Sequence, residues 1–296
     1  MNPAVRAIAR DDGRLKLAVP AKGRMSDPAL RLCADAGLSF EVTERSLIVP
    51  CGNAPVDLLL VRPSDIPEYV QDGVVHVGIT GANLLVEVET DVEVLAELGF
   101  GRCTLEVAVP EESPFQEIRD LDGRRIATSY LASTRKLLAE RGVDAELVHV
   151  SGSVEATPRL GLADAIVDLV STGSTIAANG LRRMGVLLSS QAVLVGRPDT
   201  LGDRRVLVDR LRLMLAGVVA ARRRRYVMMN AHVDDLPAIR ELLPAMGAPT
   251  VMPLADDGEI AVHAAVDVDE VWELLPSLKA AGASSILVVP VERLIP

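Results

Sequence analysis

Asp164-Ala-Ile-Val-Asp168-Leu-Val-Ser-Thr172-Gly173 is an apolar run that breaks into a small, hydroxyl-rich turn. Asp72-Gly-Val-Val-His-Val-Gly-Ile-Thr80-Gly81 has the same form at a constant offset of 92 residues. Both read as a helix end, a buried strand and a Thr-Gly step that opens the next helix. Two related lobes, each offering a helix N-terminus toward a shared cleft, account for the echo. Chance similarity between two βα units is the other account. Alone, the echo specifies a two-lobed binding protein and nothing narrower.

Outward from these stretches, Leu15–Val19 predicts a strand running into Pro20-Ala-Lys-Gly-Arg-Met-Ser26. Ser26 or Asp27 can cap a helix that opens at Pro28 and stops at Gly37. Val56–Val61 predicts another strand, followed by an Asp65-capped helix ending near Gly73 and a buried strand Val74–Thr80. Strands near Thr104–Val109, at Arg125–Ser129 and at Ala145–Val150 accompany a helix from about Ser133 to Arg141. Ala163–Leu169 is the next strand and Ile176–Leu181 the helix after it. This alternation over residues 15–196 is the signature of an α/β protein.

Arg197–Arg204 is a polar turn and marks a boundary. The helix beyond it carries Leu207, Leu211, Met214, Leu215, Val218 and Val219 on one face. Arg222-Arg-Arg-Arg225 closes that helix, where cations suit the C-terminal dipole, and reads as a solvated end. Tyr226–Ala231, Thr250–Leu254, Glu259–Ala265 and Ser285–Val289 then predict strands, with helices at Asp235–Met246 and Val268–Ala281. That βαββαβ order is ferredoxin-like; such modules bind small effectors or mediate oligomers, and the fold alone assigns neither role.

Composition bounds the function. The 296 residues carry 41 acidic and 31 basic side chains, a formal charge of −10, and are 49% hydrophobic but only 2% aromatic. The length suits two or three domains. An acidic chain with one Trp, three Tyr and three Phe is poorly equipped to track a nucleic-acid backbone. No apolar run approaches the ~18–20 residues that span a bilayer, so no membrane partner is expected. Met1 to Arg14 is polar and charged, without the apolar region of a signal peptide. Cys33, Cys51 and Cys103 form no Cys-x-x-Cys pair, which fits a reducing, cytoplasmic setting. His76, His149, His232 and His263 show no metal-ligand spacing.

The chemistry concentrates in residues 155–175. Asp168 falls at the C-terminal end of its strand, where α/β proteins bind ligands. Backbone N–H groups and the hydroxyls of Ser171, Thr172, Ser174 and Thr175 make a cradle for a phosphate monoester. An acid just ahead of such a cradle can accept hydrogen bonds from vicinal sugar hydroxyls, so the pair reads as a ribose-5-phosphate site. A helix N-cap with no ligand is the alternative.

At this point the sequence resembles the ATP phosphoribosyltransferases of the first step of histidine biosynthesis. Glu155, Gly161, Ala163, Ile166, Asp168, Leu169, Thr172, Gly173 and Thr175 fit that family's signature, and Ile176 stands in for its Leu or Met, a volume-conserving change. Pro20-Ala-Lys22-Gly23-Arg24-Met-Ser26, Val61-Arg62-Pro-Ser-Asp65-Ile-Pro67, Gly78-Ile-Thr-Gly81, Arg125-Ile-Ala-Thr-Ser-Tyr130, Ala248-Pro-Thr-Val-Met-Pro-Leu254 and Gly282-Ala-Ser-Ser-Ile-Leu287 are similar to the family as well. The likeness covers the chain after its first dozen residues. Residues 226–296 correspond to the long form, which carries its own C-terminal regulatory domain.

The resemblance implies a two-lobed, type II periplasmic-binding-protein-like catalytic unit and a ferredoxin-like, ACT-like regulatory domain. Residues 1–103 with 185–205 would form lobe I, 104–184 lobe II, and 206–296 a linker helix and the regulatory domain. The reaction implied is transfer of phosphoribosyl from phosphoribosyl pyrophosphate (PRPP) to N1 of ATP, with release of pyrophosphate. Asp168 would hold the ribose hydroxyls, Ser171, Thr172, Gly173, Ser174 and Thr175 the 5-phosphate, and Glu155 the loop or the ribose. Lys22, Arg24 and Arg62 would meet the ATP triphosphate or the pyrophosphate. Mg²⁺ would arrive on the substrates. Histidine would inhibit through His232, Thr250 and Ser285, and a homo-oligomer would pass from dimer to hexamer. With so few rings, adenine would be gripped by aliphatic and backbone groups.

Two rivals remain at this point. A prephenate dehydratase has a similar plan but needs a Thr-Arg-Phe triplet, where this chain offers Ser133-Thr134-Arg135-Lys136. A non-catalytic small-molecule binder has no need of the 168–175 constellation.

Overall fold

The computed structural model describes residues 13–43, 46–243 and 248–295. These form two units divided between Asp209 and Arg210, with the short stretch Asp35–Gly37 grouped with the second. The division falls inside the long helix α6 (Arg205–Arg222), a few residues past the expected start of the regulatory region.

In the first unit, strand β1 (Leu15–Pro20) is buried along its whole length, as a strand covered on both faces must be. It lies at the centre of a six-stranded sheet ordered β2-β3-β1-β4-β11-β5. The other strands are β2 (Ile48–Pro50), β3 (Val56–Val61), β4 (Val77–Gly81), β5 (Glu93–Glu97) and β11 (Ala192–Gly196). The second sheet runs β10-β6-β9-β7-β8. Its strands are β6 (Cys103–Pro110), β7 (Arg125–Thr128), β8 (Glu146–His149), β9 (Ala165–Val170) and β10 (Leu181–Ser190). In each sheet three parallel strands, β3-β1-β4 or β8-β7-β9, are followed by one antiparallel strand, β11 or β6. The two lobes therefore share one topology, and β4 and β9, the strands of the sequence echo, occupy equivalent places.

The echo differs in detail. Gly81 and Gly173 both stand at helix N-caps, before α3 (Ala82–Val88) and α5 (Ser174–Ala178). In the first lobe, however, Thr80 and Gly81 still belong to the ladder, paired with Val193 and Ala192. The first N–H groups of α3 are also taken: Ala82 donates to the Gln191 carbonyl at 2.9 Å and Asn83 to Ser190 Oγ at 3.0 Å. In the second lobe the strand stops at Val170, and residues 171–173 form a loop. Only this copy presents an open loop at the strand end, which corrects the expectation of two equivalent helix termini.

Helix α1 (Ser26–Asp35) follows the β1 turn, and α2 (Ile66–Gln71) follows β3. Asp65 occupies the N-cap of α2 without a side-chain capping bond. Gly78 lets α2 lie against β4, since a Cβ there would come within 2.3 Å of Ile66 Cγ2. Helix α4 spans Leu131–Ala139, two residues earlier than expected. β4 begins only at Val77, because Val75 turns back to bond the Tyr69 carbonyl. α5 ends at Ala178, before Gly180 at φ +67°, and Leu181 already opens β10.

β10 pairs with β6 along its length, from Leu181 opposite Pro110 to Ser190 opposite Cys103. Residues 185–190 thus run in the second sheet rather than in lobe I, and the chain crosses back at Gln191. The other crossing, residues 98–102, contains Gly99 and Gly101 at φ +70° and +65°. The crossings are hydrogen-bonded together: Ala192 donates to the Phe100 carbonyl at 2.9 Å, and Leu98 to the Ala192 carbonyl at 3.0 Å.

In the second unit, β12 (Arg224–His232), β13 (Thr250–Pro253), β14 (Glu259–Asp267) and β15 (Ser284–Pro290) form an antiparallel sheet ordered β13-β14-β12-β15. With α7 (Leu236–Leu242) and α8 (Val271–Ala280) this is the βαββαβ order expected. Val227, Met229 and Ala231 alternate inward and pack with Val262, Ile239 and Leu278. The rest of the expected Asp235–Met246 helix reaches residues 244–247, outside the described residues. Of the four arginines, Arg222 ends α6, while Arg223 and Arg224 each pair with Asp267 at 3.5 Å. They brace the start of the sheet as well as ending a helix.

Candidate functional site

β9 delivers Asp168 half-buried near its C-terminal end, with Val170 as the last strand residue. Withdrawal from water pushes the Asp168 carboxyl above the usual range, and the charge of Glu155 adds to the rise. The Leu169 N–H, bonded to Oδ1 at 2.7 Å, and the Arg24 guanidinium oppose it without cancelling it. Glu155 sits in a 3₁₀ turn, Val154–Ala156, entered through Ser153 in the left-handed region at φ +51°. A non-glycine residue held there is strained, and strain of this kind gathers at functional sites.

The loop after β9 keeps its shape by local bonds. Gly173 adopts φ +83°, which favours glycine, and caps α5. Thr172 Oγ1 lies 3.0 Å from Ser174 Oγ and accepts from the Ser174 N–H at 3.5 Å. Ser171, Thr172, Ser174 and Thr175 are exposed. The first turn of α5 has N–H groups with no carbonyl a turn behind them, so the loop can surround an anion with donors.

The first lobe supplies the cations. Lys22 and Arg24 follow β1, exposed, and Arg24 Nη1 donates to Ser171 Oγ across the lobes. Lys22, Arg24, Asn83, Tyr130, Asp168 and Leu169 line one cavity of about 420 Å³. Arg62 is exposed after β3 and does not line this cavity, although its neighbour Pro63 does.

Asn83 and Tyr130 were not among the site residues read from the sequence. Tyr130 is the N-cap of α4, and burial, with the charge of Asp168, pushes its phenol up to about 12. One of the seven aromatic rings therefore lines the cavity. Its position in the Arg125–Tyr130 motif was the available signal.

Among the described residues no group of three His, Cys, Asp or Glu side chains could hold a metal. Asp168 and Glu155 lie close enough for their charges to interact, and two such carboxylates are a donor set that would suit Mg²⁺ carried by phosphates and waters. Cys33 and Cys51 are buried and pushed up to about 12 and about 11, chiefly by that burial, so neither is a nucleophile at neutral pH. No helix among the described residues is long and apolar enough to cross a membrane.

In the second unit, His232, Thr250 and Ser285 do not come together. Thr250 is on edge strand β13 and Ser285 on the opposite edge strand β15, with two strands between them, roughly 14 Å of sheet. His232 ends β12 and accepts the Asp234 N–H at Nδ1. Ser285 is held at φ +49°.

A family model described as ATP phosphoribosyltransferase matches residues 62–217, and one described as the HisG C-terminal domain matches residues 221–293. The ATP phosphoribosyltransferase of Bacteroides thetaiotaomicron is 39% identical over 281 residues, covering 95% of this chain and 99% of its own length. That of Methanothermobacter thermautotrophicus is 42% identical over 286 residues, covering 96% and 100%. A solved structure, the ATP phosphoribosyl transferase (HisG:HisZ) complex from Thermotoga maritima, aligns with a TM-score of 0.58 at 27% identity, over 68% of this chain and 98% of that one. Full-length matches of this kind, over a chain whose strand-end acid, hydroxyl loop and facing cations share one site, leave neither a dehydratase nor a bare binding module as the description: the chain belongs to the ATP phosphoribosyltransferase family, in its long form, and is a pentosyltransferase.

Proposed function

We propose that the chain transfers the 5-phosphoribosyl group of PRPP to N1 of the adenine of ATP, the first step of histidine biosynthesis. The observation that carries this reading is Asp168 at the end of β9, directly ahead of the 171–175 loop and in one cavity with Lys22 and Arg24. Asp168 accepts hydrogen bonds from the ribose hydroxyls, and Ser171 to Thr175 hold the 5-phosphate. Lys22 and Arg24 neutralise the pyrophosphate or the triphosphate, with Arg62 as an outlying cation for the same charge. Tyr130 offers a face for the adenine.

Adenine N1 presents a lone pair at neutral pH, so no base has to remove a proton before the C–N bond forms. The C1–O bond to pyrophosphate breaks, and its electron pair leaves with pyrophosphate. Positioning and charge stabilisation then carry the catalysis. Mg²⁺ bound with the substrate phosphates, beside Asp168 and Glu155, would supply charge neutralisation of the leaving group.

Asp168→Ala is expected to lower pyrophosphate release from ATP plus PRPP by at least about a hundredfold while circular dichroism stays unchanged. Turnover like that of the parent would overturn the assignment. The shifted ultraviolet absorption of N1-substituted adenine identifies the product.

Histidine is proposed as the inhibitor, acting through the C-terminal unit, and Thr250, Ser285 and His232 as its contacts. Because these lie far apart on one sheet, at most a subset can touch one ligand within a chain. A homo-oligomer, dimer passing to hexamer, is part of the same proposal, as is a cytoplasmic location. Inhibition requires that histidine bind one state better than the other. Pyrophosphate release undiminished at saturating histidine would end the sensor reading.

A further inference from the structure

One ion pair in the second lobe adjoins the loop and has no part in the roles above. Glu106, on β6, is 1% exposed. Its carboxylate accepts two bonds from Arg183 on β10, Nε to Oε2 and Nη2 to Oε1, at 2.5 Å each. Thr104 Oγ1 donates to Oε1 as well. Burial works to raise the Glu106 carboxyl, but the bonds from Arg183 and Thr104 outweigh it and hold the group below the usual range.

Register explains the pair. Glu106 lies directly opposite Asp168 across β6 and β9, which puts two acids on one sheet face roughly 5 Å apart. A register shift in β10 between Arg183 and Gly185 aligns Arg183 with Ala108, two residues along β6 from Glu106 and on the same face. The bidentate clamp uses Nε and Nη2, which leaves Nη1 outside it. Nη1 is also the part of the fork against the loop: a Cβ built on Gly173 would sit 3.7 Å from it. The Arg183 side chain is 53% exposed, so it is open to a ligand.

We infer that Arg183 is a phosphate-binding residue for the 5-phosphate end of PRPP, and that Glu106 is its positioning residue. The inference rests on the reading of 171–175 as the 5-phosphate cradle. It supplies what that cradle lacks from its own lobe. Five-residue α5 has a weak dipole, the loop offers only neutral donors, and Lys22 and Arg24 belong to the other lobe. Glu106 holds the guanidinium plane in place, so little side-chain freedom is lost when phosphate binds.

Ribose 5-phosphate and pyrophosphate, the two ends of PRPP, serve as separate competitive probes. Arg183→Gln is expected to weaken ribose 5-phosphate binding and raise the KM for PRPP about tenfold or more, with pyrophosphate binding and the KM for ATP within about twofold of the parent. Because that variant strands a buried carboxylate, the double variant Arg183→Gln with Glu106→Gln is made beside it; its sheet keeps a neutral pair, and it is expected to show the same loss. Parent-like ribose 5-phosphate binding in the double variant overturns the inference, since Arg183 would then serve only to neutralise Glu106. Ser174→Ala and Thr175→Val separate the two levels. If they weaken ribose 5-phosphate and the double variant does not, Arg183 alone loses its role; if none of them does, the cradle itself is misassigned.

Discussion

Ionising Asp168 is harder than ionising a free carboxylic acid, first because the strand end withdraws it from water and then because Glu155 carries a like charge. In its proposed role Asp168 must be an anion to accept hydrogen bonds from both ribose hydroxyls, so PRPP capture is expected to fail as pH falls through this raised value. Glu155→Gln removes that raising charge. The acidic limb of the pH profile of kcat/KM for PRPP is then expected to move to lower pH. A limb that stays in place or moves up would take Glu155 out of the electrostatics of this site. The linkage has a cost in the same direction. A carboxyl with a raised folded-state pKa contributes stability below its ordinary pKa and loses it as pH rises through the raised one, so at neutral pH Asp168 opposes folding. Asp168 and the loop were legible because they are consecutive, and a strand end followed by small hydroxyl residues carries its chemistry locally. Arg183 and Glu106 were not, because 77 residues separate them and one irregular register brings them together.

At the scale of elements, α3 and α4 meet across the lobes. Glu87 on α3 accepts the N–H of Ala132 at 3.2 Å and of Ser133 at 2.9 Å, closing the first turn of α4. A carboxylate at a helix N-terminus satisfies donors that the helix itself cannot. Here it also ties lobe to lobe, beside the cavity that Tyr130 lines. Glu87→Ala leaves those donors to water and is expected to cost about 1 kcal/mol of the closed arrangement, raising the KM of both substrates about fivefold. Small-angle scattering should show a larger mean radius in the substrate-free variant; unchanged KM values and radius would make Glu87 a local cap only. The strands that went unnamed in the sequence, β2, β5, β10 and β11, each have their own physical reason. β2 has three residues, β5 is largely exposed, and β10 is broken by Arg182, Arg183 and Gly185. β11 is fully buried, but its apolar run of five is too short to separate strand from helix by period.

For the whole molecule, the formal charge of −10 turned out to say little about anionic small ligands. Cations are spent locally: Arg24 at Ser171, Arg183 at Glu106, and Arg223 and Arg224 at Asp267. The two-lobed plan and the βαββαβ module were both legible, the first from one repeated strand-turn motif and the second from the order of its apolar strand runs and helical patterns. Where the chain crosses between lobes was not legible, because Ser190-Gln191-Ala192 has no composition that marks a crossing.

Those two crossings have a mechanical consequence. Phe100 and Ala192 are bonded to each other, so the crossings lie side by side and cannot separate without breaking the ladder between them. Two joined pivots define an axis, and rotation about it is the expected motion of one lobe against the other. A substrate that bridges the lobes therefore sets the same angle that the second substrate meets. Under the proposed function, whatever one gains from that angle the other shares, and PRPP and ATP are expected to bind with reciprocal coupling without having to touch.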